Sequence, residues 1–320
     1  MRYRPFGQAG QAVSALTLSL GPRDIAHGPE AGRELVYSAL EAGINSYRLE
    51  TADPVLAEVL GQALKHVDRK LVQVSLMLGA GDGRRGSDRD FSAEGITSAI
   101  DRALAISGLG WFDLAILDEP ADHELPQTTL NALKALRATE RVRLLGISGE
   151  GEVMDTYVST GAFDVLATPF HVNSPWQIRS RLRVAREADM AIFVYDYFPE
   201  SLDTAKKAAA VHQPKKGFFG FGGPKAKANP LAHAGTFAFL HQTNNWPAEA
   251  ICLAYALTDP SVSSVLIRAS DTERLNMLAL VPDRDMPPGL AAQIEMARVA
   301  GAKGRLRPFG ALTPPLWAPS

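Results

Sequence analysis

Polar side chains lie at the ends of several short apolar runs in this sequence. Glu50 and Asp118 each follow such a run, and two other runs end at Ser148 and Tyr195. A carboxylic acid or a phenol can protonate a developing oxyanion when it lies within about 3 Å of that oxygen. These residue types predict a chemical or binding site at the point where the runs end.

A metal centre is a second chemistry that acidic residues allow. Asp118, Glu119, Asp122 and His123 lie close together in the sequence. A metal-dependent barrel hydrolase needs several His or Asp ligands at strand ends, however, and Asp118 is the one convincing candidate. The single cysteine also excludes a zinc cluster and an internal disulfide. We therefore expect a solvated loop here and no metal.

The apolar runs predict eight strands that alternate with amphipathic helices. Continuous runs such as 114–117 are typical of parallel strands covered on both faces. Eight such units predict an α/β fold, a (β/α)8 TIM barrel, whose sites lie at the carboxyl ends of the strands. An open doubly wound sheet is the alternative, but residues 20–23 lack its G-x-G-x-x-G turn. The predicted strands are 15–20, 44–49, 71–78, 112–117, 142–148, 165–167, 191–195 and 264–267.

Length and composition favour one large folded domain. The 320 residues are 46% hydrophobic and 21% charged, as in ordinary globular proteins. The net charge of −2 gives no reason to expect nucleic acid as a partner. There is no secretory signal and no apolar run of about 18 residues, so we expect a cytoplasmic protein without a transmembrane segment. We assign 1–320 to one barrel domain, with a flexible basic Phe/Gly-rich insert at 212–232 and a Pro-rich tail at 303–320.

Several segments, in the correct order, resemble the aldo-keto reductase family. The opening RYRPFG and VSALTLSLG resemble the family's hairpin and first strand, and ALEAGIN with AEVLGQAL resembles its second unit. RVRLLGIS resembles the fifth strand, and PAEAICLAYALTDPSVSSVLIRAS resembles the last strand and the adenine-side loop. The resemblance implies a TIM barrel with an N-terminal hairpin, which reduces carbonyl groups with hydride from a nicotinamide cofactor.

The matching positions do not carry the family's catalytic residues. The resemblance implies a tyrosine acid tuned by a lysine and an aspartate, with a histidine that orients the carbonyl. The matching positions read Glu50 for the aspartate, Val55 for the tyrosine, Leu76 for the lysine and Asp118 for the histidine. Because valine and leucine have no proton to give, we expect no catalytic residues and an inactive protein.

An active NAD(P)H-dependent reductase with a rearranged site is the alternative. Tyr47 and Lys70 lie near the matching positions, so a shifted alignment would restore a phenol and an amine, with Glu50 or Asp118 in the pocket. A shift of two residues along a strand moves a side chain by about 7 Å, and a shift of one turns it to the other face. We therefore favour the inactive interpretation.

The cofactor positions match the family better than the catalytic ones. Ser148 matches a residue that holds the nicotinamide amide, although Gly149 and Ala167 replace the usual asparagine and glutamine. Tyr195 matches the aromatic ring that stacks on the nicotinamide. The adenine-side matches are Arg268, Ser270, Asp271 and Arg274.

The charges of the adenine-side segment favour NAD(H) over NADP(H). The carboxylates of Asp271 and Glu273 would repel a 2′-phosphate, whereas a carboxylate can accept a ribose hydroxyl. A purely structural role for the segment is also open, because Thr272 is a suitable helix N-cap.

The insert differs from an inert linker because it combines cations with aromatic side chains. Such a segment suits either a protein partner or a lid over the cofactor. The residues expected to bind a partner are Lys215, Lys216, Phe218, Phe219, Phe221 and Lys225. An inactive barrel with this insert is similar to oxidoreductase-like regulators of bacterial cell division, which implies the division GTPase FtsZ and a cell-cycle kinase as partners. We therefore expect an NAD(H)-binding regulator that couples cofactor state to cell division.

Overall fold

The described part of this computed structural model comprises residues 1–7, 11–79, 89–203 and 235–305. Contacts divide the chain into two compact units, Met1–Tyr197 with Cys252–Asp285, and Phe198–Ile251 with Met286–Ser320. The predicted insert, with all six of its expected partner-binding residues, lies outside the described residues, as does the tail from 306 onward. No helix within the described ranges is long and apolar enough to cross a membrane.

The first unit contains a closed barrel of eight parallel strands, in which strands consecutive in the sequence pair with each other and the last strand closes onto the first. All eight predicted strands are present, so the predicted (β/α)8 barrel is confirmed. An antiparallel hairpin of β1 (Tyr3–Pro5) and β2 (Ala12–Ser14) precedes it. The barrel strands are β3 (Leu16–Leu20), β4 (Ser46–Leu49), β5 (Gln73–Leu78), β6 (Phe112–Asp118), β7 (Val142–Ser148), β8 (Val165–Pro169), β9 (Ala191–Tyr195) and β10 (Val262–Ile267).

Side chains cap the N-termini of several of the described helices. Asp53 caps one helix by accepting the backbone N–H of Val55, and Ser92 caps another through the N–H of Gly95. The helices are α1 (Pro29–Glu41), α2 (Pro54–Leu64), α3 (Ala93–Ser107), α4 (Gln127–Ala138), α5 (Glu152–Ser159), α6 (Trp176–Glu187), α7 (Ala248–Ala256), α8 (Thr272–Ala279) and α9 (Leu290–Arg305). In the second unit, a 3-10 helix (Gly235–Gln242) accompanies α9.

The N-terminal hairpin closes the end of the barrel at which the strands begin. Phe6 and Val13 join an apolar cluster with interior side chains such as Leu114 and Val165. The ring of Phe6 stacks on Phe193 with 5.5 Å between the ring centroids. This end of the barrel is therefore filled by hydrophobic packing, and the opposite end is left for polar groups.

A polar track runs along the interior from β10 through β3 to β4. The hydroxyl of Thr17 bonds those of Ser46 and Ser264 at 2.8 and 2.7 Å. Alternate residues of a strand face the same side, so Ser19 and Arg48 continue this track one step nearer the carboxyl ends. The polar side chains of these strands thus lead towards the barrel mouth.

Candidate functional site at the barrel mouth

An ionic cluster lies at the carboxyl ends of β3, β4 and β10. Glu50 follows β4, and its Oε1 accepts a hydrogen bond from the Ser19 hydroxyl at 2.8 Å. The Nε of Arg268, which follows β10, donates to the same oxygen. The NH2 group of Arg48 lies 3.7 Å from it. One carboxylate therefore faces two guanidinium groups.

Arg48 is a buried cation in the floor of the mouth. It is 4% exposed, and its Nε donates to Ser19 Oγ at 2.9 Å. Burial lowers the pKa of Arg48, while the negative charge of Glu50 acts in the opposite direction. Charges on Asp118, Tyr195 and Arg268 also act on it, so its guanidinium lies within reach of groups from three further strands.

Asp118 brings a second carboxyl group to the same mouth from β6. Burial raises the pKa of Asp118, and the positive charges of Arg89 and Arg48 oppose that rise. Its carboxyl group accepts no hydrogen bond from any residue in the described ranges. Asp118 therefore keeps its proton to a higher pH than an ordinary aspartate and could donate it to a ligand.

The two residues predicted at the nicotinamide lie together. The hydroxyl of Tyr195 is hydrogen-bonded to the side chain of Ser148, and burial raises the pKa of Tyr195. Gly149 has a φ of 140°, and a Cβ there would lie 2.5 Å from Glu119 Cγ. Glu119 itself has a left-handed φ of 47°. An asparagine in place of Gly149 would thus be strained and would collide with Glu119.

The structure places Val55 and Leu76 away from the interior of the mouth. Val55 lies on the first turn of α2 and is 40% exposed. Leu76 is fully buried and pairs with Ala115. The neighbours of Ala115 in β6, Leu114 and Ile116, face the barrel interior, so Ala115 and Leu76 face the opposite side of the sheet. Met77 is the β5 side chain that faces the interior at this level. No amine projects from the described residues of β5 into the barrel.

The displaced phenol and amine of the alternative hypothesis do not reach the mouth. Tyr47 is fully buried on the opposite face of β4 from Arg48, and its hydroxyl donates to the carbonyl of Ile44 at 2.7 Å. Lys70 is exposed and precedes β5, at the end where the strands begin. Of the displaced candidates, only Glu50 and Asp118 remain in the site.

The adenine-side residues form the cap of α8. Asp271 is the N-cap: its side chain accepts the backbone N–H of Arg274 at 2.8 Å and the hydroxyl of Ser270 at 2.7 Å. The prediction that Thr272 is the cap is wrong by one position, because Thr272 is already helical. These donors lower the pKa of Asp271, which is therefore ionised at neutral pH. Arg268 lies apart from them, on Glu50.

Two functional candidates were missed in the sequence. Arg48 is a charged residue inside an otherwise buried strand and stands two positions before Glu50, so strand alternation alone would have placed it in the interior. Thr51 is buried at the end of β4, and its hydroxyl has no hydrogen-bond partner among the described residues. Such an orphaned buried hydroxyl marks a place where a ligand group fits.

The described residues form a parallel (β/α)8 barrel with a polar site at the carboxyl ends of its strands, which is the end at which barrel enzymes carry their active sites. The chain belongs to the aldo/keto reductase family, whose profile matches residues 28–281. The holo form of aldo-keto reductase AKR11C1 from Bacillus halodurans is similar in fold, with a TM-score of 0.73 and 18% identity. Its apo form has a TM-score of 0.68 and 17% identity. Both alignments cover 93% of this chain and 96% of the other. A search of curated proteins finds no match.

Aldo-keto reductases generally bind an NAD(P)H nucleotide, and the mouth offers groups that fit one. Thr51 supplies an unpartnered buried hydroxyl, Ser148 supplies a hydroxyl for an amide, and Tyr195 supplies an aromatic surface. A metal fits less well, since the described residues contain no group of three His, Cys, Asp or Glu side chains able to hold one.

Proposed function

We propose that this protein binds a nicotinamide cofactor at the barrel mouth and acts as a catalytically inactive regulator. One observation carries the proposal: Glu50, which the resemblance matches to the family's aspartate, accepts hydrogen bonds from Ser19 and Arg268 and has no lysine beside it among the described residues. The interior side chain of β5 at this level is Met77. Burial raises the pKa of Tyr195, the phenol at this mouth, and the opposing influences of Ser148 and Arg48 do not reverse that rise.

Cofactor binding would use the residues that the mouth presents. A bound NADH would supply hydride. Tyr195 would pack on the nicotinamide ring, and Ser148 and Thr51 would hydrogen-bond polar groups of the nucleotide. The ionised Asp271 favours NAD(H), because a 2′-phosphate beside that carboxylate would be repelled.

Fluorescence titration with NADH and NADPH tests this binding. We expect saturable NADH binding, weaker NADPH binding, and an affinity at least tenfold lower for Tyr195→Ala. Tyr37→Ala is the matched control, since Tyr37 lies exposed on α1. Equal affinity of the Tyr195 and Tyr37 variants would remove Tyr195 from the site, and no binding of either cofactor would leave the barrel as an interaction scaffold.

The regulatory part of the proposal rests on the resemblance to the bacterial cell-division regulator KidO. This resemblance implies FtsZ and a cell-cycle kinase as partners, and the proposal takes the basic insert as the segment that contacts them. Binding of purified FtsZ to the full chain, with and without NADH, tests it. Deletion of residues 215–227 should abolish binding with an unchanged circular dichroism spectrum. Full binding by the deletion variant would remove the insert from the proposal.

A second candidate function is an active reductase in which Asp118 is the proton donor. The raised pKa of Asp118 at the mouth favours it, because a protonated carboxyl group can neutralise an oxyanion. Steady NADH oxidation with a simple aldehyde, lost in Asp118→Asn and kept in Asp122→Asn, would support this candidate against the inactive one.

A further inference from the structure

Arg48 is unusual among the buried arginines because most of its donors are unused. A guanidinium carries five N–H donors. The Nε of Arg48 is hydrogen-bonded to Ser19, but its two terminal nitrogens form no hydrogen bond with any residue that the structure describes. The nearest carboxylate, Glu50, lies 3.7 Å from NH2. A buried residue, 4% exposed, thus leaves a planar pair of charged donors without hydrogen-bond partners among the described residues.

The acids near Arg48 interact more closely with other cations. Glu50 is shared by Arg48 and Arg268, and it is Arg268 that donates the hydrogen bond to it. Asp24 also acts on Arg268, and Asp118 interacts with Arg89 as well as with Arg48. Arg48 therefore has no carboxylate within hydrogen-bond distance among the described residues, in a buried floor where an ionic contact is strong.

We propose that Arg48 is an anion receptor, which holds the carboxylate of a small organic monoacid in the floor of the barrel mouth. The planar fork of the guanidinium matches a carboxylate with two parallel hydrogen bonds. Glu50 and Asp118 also lie near Arg48 and would repel a dianion more strongly than a monoanion, so a carboxylate fits this floor better than phosphate does.

This inference deepens the proposed function by naming a second ligand of the same mouth, but it does not need the cofactor. The acid is an effector when it is bound and unchanged. It is a substrate when it carries a carbonyl group that takes a hydride from NADH on carbon and a proton from Asp118 on oxygen, which gives a hydroxy acid and NAD⁺. Acetate and benzoate represent the first case, and pyruvate represents the second. Methyl pyruvate keeps the carbonyl groups and removes the charge.

Calorimetric titration of the full chain with these four compounds and with inorganic phosphate tests the inference. We expect saturable binding of at least one of the three carboxylates and none of methyl pyruvate. Affinity should fall at least tenfold in Arg48→Lys, which keeps the charge but not the fork, and further in Arg48→Met. Arg33→Met is the control, because Arg33 lies on α1 and pairs with Glu30 and Gln62. The Arg33→Met variant should bind the carboxylates with the same affinity as the parent chain.

Several results would overturn the inference. They are equal carboxylate binding by Arg48→Met, equal binding of methyl pyruvate, tighter binding of phosphate than of any carboxylate, or no binding of any carboxylate by the parent chain. NADH fluorescence in the same samples separates the two proposals. Carboxylate binding without NADH binding would reject the proposed function alone. NADH binding without carboxylate binding would reject only this inference. Reduction of pyruvate would support Arg48 as the receptor and contradict catalytic inactivity.

Discussion

Strand β6 carries one aspartate at each end of the barrel, and the two have opposite surroundings. Asp113, where the strand begins, accepts hydrogen bonds from Arg69 at 2.7 Å, the Val74 backbone at 2.9 Å, Trp111 Nε1 at 3.0 Å and Arg143 at 3.4 Å. Asp118, at the mouth, has a carboxyl group without a hydrogen-bond donor among the described residues.

The contrast extends to the neighbours of each aspartate. At the end where the strands begin, the rings and charges are paired: Arg69 and Arg143 lie over the Trp111 ring at 4.6 and 4.2 Å from its centroid. At the mouth, the terminal nitrogens of Arg48 and the hydroxyl of Thr51 form no hydrogen bond with any described residue. Single unpartnered polar atoms also occur at the other end, on Arg69 and Gln73. The difference between the two ends therefore rests on their charged groups, which are paired where the strands begin, whereas Arg48 and Asp118 at the mouth have no hydrogen-bonded partner of opposite charge among the described residues.

The largest expected effect is at Asp113. Asp113→Ala removes four hydrogen bonds and leaves two arginines without their carboxylate, so we expect a loss of about 4 kcal/mol in the free energy of unfolding. Asp118→Ala is the matched change on the same strand and should cost less than about 1 kcal/mol. Denaturant unfolding measures both, and similar losses would show that the two ends are not distinct.

Two buried arginines, Arg181 and Arg48, differ in how completely their donors are hydrogen-bonded. Arg181, 3% exposed, donates to Asp155 at 2.6 Å, to the Gly151 carbonyl at 2.6 Å and to Thr168 at 3.4 Å. Arg181→Met should therefore cost about 3 kcal/mol, because it breaks a satisfied buried network. Arg48→Met should change stability by about 1 kcal/mol or less, since it removes a poorly compensated charge. An equally large loss for Arg48→Met in thermal unfolding would mean that its role is structural.

The smallest expected effect is a pH dependence at Asp118. Its pKa is raised in the folded state above the ordinary value of 3.8. The folded state therefore holds this proton over a pH range in which the unfolded state has lost it, and stability falls as pH rises through that range. Asp118→Asn should stabilise the protein by about 1 kcal/mol at neutral pH. The gain in stability should vanish below pH ~3.8. A gain of the same size below that pH would show that it does not come from the ionisation of Asp118.

The strands were predictable because their signal is local. Continuous apolar runs such as β6 and the caps at Asp53 and Ser92 depend on neighbours in the sequence. The positions of Glu50, Asp118, Ser148 and Tyr195 at the mouth then followed from the topology of a parallel barrel.

The interior face of each strand was harder to predict at the site. The sequence resemblance matches Leu76 to the family's lysine, but the register of β5 turns Met77 inward. Arg48 was overlooked because a single arginine in a buried strand has no local signal that reveals its partners. Its partner Ser19 comes from another strand, so the unused donors are visible only once the barrel closes.

Whether the mouth binds the cofactor without reducing a carbonyl group is tested by NADH absorbance at 340 nm, followed over hours with saturating cofactor and a panel of small aldehydes and 2-oxo acids. We predict NADH binding by fluorescence and no oxidation above the rate without protein. Steady oxidation that scales with protein concentration would contradict the claim that this mouth binds the cofactor without catalysing reduction.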